Sequence, residues 1–156
     1  MSLFRRNREK DSGQQAATTV DKVASAFHED WRSTRYQDDG SYEPRVKTTK
    51  DEAWIAAHGT DQVDIANTAY PELPSDWQAE NKAAAEVVVG LLGRGAIDLS
   101  NERDRLYAGQ IIHDAWVSRN EWAQDSELGV PFEQLPADEQ AKDIAQVAIA
   151  QLAIGR

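Results

Sequence analysis

His28-Glu29-Asp30-Trp31, followed by Arg35, and His113-Asp114-Ala115-Trp116, followed by Arg119, are one phrase met twice, with His-x-x-Trp kept in both. A separation of three places the two rings side by side on a helix. The parallel continues downstream. Tyr70-Pro71-Glu72-Leu73-Pro74-Ser75-Asp76-Trp77-Gln78-Ala79 is answered by Phe132-Glu133-Gln134-Leu135-Pro136-Ala137-Asp138-Glu139-Gln140-Ala141, and the helices that follow close on Gly93-Arg94 and Gly155-Arg156. Two ordered matches over so long a period predict a duplicated unit rather than a solenoid, which needs three or more short repeats to bury a continuous core. The expected fold is mainly α: a tandem pair of helical repeats, at 18–95 and 96–156, with short β-strands or extended loops and pseudo-twofold packing.

Working outward, Val20, Val23, Ala24, Phe27 and Trp31 recur at helical spacing behind a cap from Thr18 with Asp21. Asp38-Asp39-Gly40 breaks that helix, and Ser41 to Thr48 reads as an extended loop or short strand. Thr49-Lys50-Asp51-Glu52 has capping-box spacing and predicts a short helix through Trp54 and Ile55 that stops at Gly59. From His to Leu-Pro the first copy spans 45 positions and the second 22, so the short helix (49–59) and its flanks are an insertion. Pro74 and Pro136 suit the first turn of the closing helices, where a missing N–H costs nothing. Ala83, Val87, Val88, Leu91 and Leu92 form the apolar face of one closing helix. Ile144, Val147, Ala148, Leu152 and Ile154 form that of the other. Between them Asp98 or Ser100 is the expected cap of a helix striped by Leu106, Gly109, Ile112 and Trp116.

The 156 residues carry a net charge of −10, spread unevenly. Arg5, Arg6, Arg8 and Lys10 against Glu9 give the first ten residues +3, leaving −13 for the rest. Residues 1–17 therefore read as a flexible basic tail, and the acidic body argues against broad nucleic-acid binding. With no cysteine there is no disulfide framework and no thiolate chemistry. No apolar run reaches the roughly 18 residues of a membrane span, and no signal peptide is legible, so a cytoplasmic location is expected.

In His113-x-x-Trp116 followed by Phe132-x-x-Leu135-Pro136-x-Asp138-Glu139, the second half resembles the RyR domain, the repeat named for the ryanodine receptor and also found in small bacterial and phage proteins. The first half is similar through His28-x-x-Trp31, Gly40-Ser41-Tyr42-Glu43-Pro44-Arg45 and Tyr70-x-x-Leu73-Pro74. The likeness covers roughly 20–156. The family's Gly-Trp-x-Tyr-Gly turn is intact in neither copy: Glu121-Trp122 stands in one and Gly40-Ser41-Tyr42 in the other. The resemblance implies paired, mostly helical repeats that act in interaction or ligand sensing rather than catalysis, with His28, Trp31, Leu73, Pro74, His113, Trp116, Leu135 and Pro136 as structural signature residues.

The candidate ligand contacts are Tyr42 and Trp122, aromatics in comparable turns, with Arg35, Arg45, Lys47 and Arg119 close by in sequence. An aromatic beside guanidinium groups suits a small anionic planar ligand such as a nucleotide, bound in a cleft between the repeats. The alternative occupant is a protein partner, anchored by Trp54 and Trp77. A rival chemistry is a metal-dependent hydrolase using His28 and His113 with Glu29, Asp30 and Asp114. The chain has no Gly-x-Ser-x-Gly elbow and no phosphate-binding glycine loop. The expectation is a non-catalytic module with no cofactor and no metal.

Overall fold

The computed structural model describes residues 19–155. The basic segment 1–17 and the Thr18 cap lie outside them. The described chain is mainly helical, with a two-stranded antiparallel sheet. It divides into two compact units between Ala83 and Ala84.

In the first unit helix α1 runs through 19–33 and buries Val23, Ala24, Phe27 and His28, the face its periodicity predicts. A turn follows in which Gly40 adopts φ 87° and the Asp39 carboxylate accepts the Ser41 N–H at 2.9 Å. This brings Tyr36 opposite Tyr42 as an isolated antiparallel bridge. Strand β1, Val46–Thr48, pairs with β2, Gln62–Asp64, with Lys47 opposite Val63. The inserted helix between them, α2, spans Glu52–His58 and ends on Gly59 in the left-handed conformation. Its cap is Asp51, whose carboxylate accepts from Trp54 N, and not Thr49. Thr49 is buried instead, and its hydroxyl donates to Asp76 Oδ1 at 2.7 Å. Asp51 also accepts from Ser75 N at 2.9 Å, so the turn before α2 is tied to the start of α3, Ser75–Arg94.

Asp64, at the end of β2, accepts from Arg45 N at 2.9 Å, from Ala66 N and Asn67 N of the 3₁₀ turn Ile65–Asn67, and from Asn67 Nδ2 at 2.7 Å. Partial burial works against its charge, yet these donors hold its carboxyl below the ordinary value. Asp64→Ala is expected to lose about 1 kcal/mol, as for other caps, by urea denaturation at pH 7. Because the folded pKa is depressed, that contribution is present above the unfolded value near 3.8 and is lost as pH falls below it.

The prolines sit one position earlier than expected. Pro136 is the N-cap of α6, Ala137–Ile154, with φ −55° and ψ 151°, and Pro74 directly precedes Ser75. The leucine before each is extended, at ψ 145° for Leu73 and 149° for Leu135, as proline requires of its predecessor. Gly155 terminates α6 at φ 76°, whereas α3 continues through Gly93 to Arg94. In the second unit α4, Glu102–Arg119, is capped by Asn101 rather than Asp98 or Ser100. Asp98 instead accepts the N–H and hydroxyl of Ser100. Helix α5, Glu121–Gln124, follows directly, and α4 packs on α6 and on the 3₁₀ turn Phe132–Gln134. Val147 and Ala150 are the buried residues of α6, while Leu152, expected on its inner face, is 85% exposed.

Candidate functional site

Both histidines are 4% exposed, and each uses Nε2 in the same way. His28 Nε2 donates to the Thr68 carbonyl at 2.8 Å, and His113 Nε2 donates to the Val130 carbonyl at 2.8 Å. Each accepting residue lies two positions before a buried aromatic, Tyr70 or Phe132, that opens a 3₁₀ turn. In each turn a leucine N–H closes back on that aromatic's carbonyl at 3.1 Å: Leu73 on Tyr70 and Leu135 on Phe132. The neighbouring tryptophans stack on the imidazoles, with ring centroids 5.7 Å apart for His28–Trp31 and 6.1 Å for His113–Trp116. Trp31 and Trp116, expected in the core, are only half-buried, leaving part of each indole accessible.

The other face of the imidazole distinguishes His113. Its Nδ1 lies 3.8 Å from Asp143 Oδ2, which is beyond hydrogen-bond distance. Asp143 is the eighth residue after Leu135, and the eighth after Leu73 is Asn81. His113, Trp116, Leu128, Leu135, Glu139, Lys142, Asp143 and Gln146 enclose a pocket of about 340 Å³ within the second unit. Burial pushes the Asp143 carboxyl up to about 6, with the facing His113 drawing it back only in part and Glu139 adding to the rise. Glu139 accepts from Lys142 Nζ at 3.0 Å.

The six residues expected to contact ligand fall in both units. Tyr42 is half-buried, its ring 5.5 Å from Tyr36 and 4.3 Å below the Arg32 guanidinium, and Asn67 bonds its N–H and carbonyl. Arg35 donates to the carbonyls of Glu43 at 2.9 Å and Pro44 at 3.1 Å, and lies over Trp31. Its guanidinium fixes the loop. Arg45 is exposed, and Lys47 Nζ stands 5.9 Å from the Trp77 ring. Trp122 is 65% exposed and meets Trp116 edge to face at 5.7 Å, while Arg119 is half-buried at the end of α4. Trp77 donates to the Thr48 carbonyl and Trp54 stacks on His58 at 3.9 Å, so both anchors expected for a partner also serve the first unit.

Sequence reasoning singled out His113 and Trp116 but missed Glu139, Lys142, Asp143 and Gln146. Their signal was legible: they fall at i, i+3, i+4 and i+7, one polar stripe along a helix whose other residues are apolar apart from Asp138, Gln140 and Gln151. Among the described residues no group of three or more histidine, aspartate or glutamate side chains could hold a metal ion. No helix among them is long and apolar enough to cross a membrane. Comparison with family models, curated proteins and solved structures finds no match to this chain.

Proposed function

We propose that the chain is a non-catalytic binding module, a duplicated RyR-type pair whose second copy takes a small ligand beside His113 and Trp116. The observation that carries this reading is the pocket itself. At about 340 Å³ it has the size of a small-molecule site. It combines an accessible indole and two leucines with a few polar groups held in place by secondary structure, the pairing that gives a site both affinity and orientation. The matched clamps from His28 to Thr68 O and from His113 to Val130 O support a shared ancestry of the two halves. The Asn81/Asp143 difference supports a division of labour, with the second copy kept for the ligand.

A thermal-shift screen of the full chain against nucleotides, amines, carboxylates and sugars tests the reading. A ligand at 100 times its Kd adds about 2.7 kcal/mol, which for a chain of this size raises Tm by about 5–10 °C. The expected hit also displaces the Trp116 indole N–H resonance, assigned through Trp116→Phe, and loses affinity at least tenfold in Trp116→Ala. Hits that leave this resonance unmoved and retain affinity in Trp116→Ala overturn the pocket. If they instead fail with Tyr42→Ala and Trp122→Ala, the aromatic turns are the site.

A further inference from the structure

The chemistry of the ligand follows from which polar atoms reach the pocket. His113 commits Nε2–H to the Val130 carbonyl, so in the neutral ring Nδ1 is a lone-pair acceptor. The residue is 4% exposed, and its Nδ1 makes no hydrogen bond among the described residues. Asp143, with its side chain 15% exposed, contributes two acceptor oxygens and makes no hydrogen bond among the described residues. Glu139 adds a third acceptor group. Lys142, the one lysine or arginine of the lining among the described residues, is 70% exposed and lies against Glu139 on its own helix, leaving its ammonium in water beside that carboxylate. The neutral donors of the lining are the Trp116 indole N–H and the Gln146 amide, but its charge balance is two carboxylates against one ammonium held in water, and its walls are Trp116, Leu128 and Leu135.

We infer that the pocket takes a small organic cation, a protonated amine or amidinium directed at Asp143 and Glu139, with its apolar or aryl body on Trp116, Leu128 and Leu135. This rests on the ligand-binding reading above. A donor-bearing cation satisfies the acceptors that the protein leaves open, and an indole face adds cation–π attraction. An anion of the same shape meets two carboxylates. A metal ion does not fit, since the acidic groups and His113 do not converge as a metal-holding set. The raised Asp143 carboxyl is consistent with a charge that His113 and Lys142 compensate only in part.

Three probes of one shape separate the possibilities: phenethylammonium, 2-phenylethanol and 3-phenylpropionate, each titrated into the full chain at pH 7.5 with the Trp116 indole resonance as readout. The ammonium is expected to bind at least tenfold tighter than the alcohol, and the propionate weakest. Asp143→Asn, close to isosteric, is expected to weaken the ammonium about tenfold and leave the alcohol unchanged. Glu139→Gln, on a more exposed side chain, should weaken it by a smaller factor and serves as the second variant. Lowering the pH from 7.5 to 5 should reduce ammonium affinity more in the parent chain than in Asp143→Asn, which keeps His113 and Glu139. Equal or tighter binding of the alcohol or propionate, with the Trp116 resonance moving, refutes the cation and leaves the pocket standing. If none of the three moves it, the cation inference fails, and the pocket is then judged by the broader screen alone.

Discussion

Replacing Phe132 by alanine should remove about 3–5 kcal/mol of stability, a large part of the 5–15 kcal/mol that holds a typical domain together. Phe132 is 2% exposed and is the largest fully buried side chain of the described residues. Its ring lies on Gly109 of α4, and a Cβ built at Gly109 would overlap the ring atoms. The aromatic and the glycine are therefore one packing unit, a knob and the only residue type small enough to receive it. Gly109→Ala separates two effects of opposite sign. Helix propensity favours alanine over glycine by about 1 kcal/mol in a helix interior, while overpacking a filled core costs about 1–3 kcal/mol. Because the ring is enclosed and cannot swing into solvent, the steric effect should win and Gly109→Ala should be destabilising. Adding Phe132→Leu to Gly109→Ala should then cost less than the two single losses combined, since each change relieves the other. Urea denaturation followed by circular dichroism measures Phe132→Ala, the single variants Gly109→Ala and Phe132→Leu, and their combination. A loss below 1 kcal/mol for Phe132→Ala, or a gain for Gly109→Ala, would contradict this packing.

These contacts also explain why some of the architecture could be read from residues and some could not. The histidine–tryptophan neighbours, the short inserted helix ending at Gly59 and the extended 41–48 segment are local, decided by spacings of three or four residues and by a left-handed glycine. The cap of α4 was harder to place. Asp98, Ser100 and Asn101 can all cap a helix, and the choice turned on Asp98 accepting from Ser100, which left Asn101 to receive Asp104 N. The buried face of α6 was harder still. Ala141, Ile144, Ala145, Val147, Ala148, Ile149, Ala150, Leu152, Ala153 and Ile154 put apolar groups all round the helix. Periodicity then cannot orient it, and packing against α4 selected Val147 and Ala150 while leaving Leu152 in solvent. The pocket belongs to the same class of problem. That Asp143 faces a histidine 30 positions earlier is a tertiary fact, although its polar stripe is visible in the sequence.

Asp143→Asn should make the protein more stable at pH 7.5 and leave it nearly unchanged at pH 4. Burial raises the carboxyl from 3.8 to about 6, so the folded chain binds this proton more tightly than the unfolded one. Protonation therefore favours the native state. The benefit is complete below about pH 4, declines as pH rises through the folded value near 6, and is absent at 7.5, where an ionised carboxylate remains partly desolvated. A shift of about two units corresponds to at most about 3 kcal/mol, and screening by solvent at the pocket mouth reduces this to about 1–2 kcal/mol. Asparagine keeps the shape without the charge and should raise Tm at pH 7.5 by about 3–6 °C. Urea midpoints of both proteins at pH 4 and 7.5 measure the effect. A difference independent of pH would show that the carboxylate is not strained by its surroundings. The pairing of this result with the probe titrations is the decisive comparison. A variant that gains stability while losing affinity for the ammonium would identify Asp143 as a charge retained for a ligand rather than for the fold, as expected where a binding site is kept at the expense of stability.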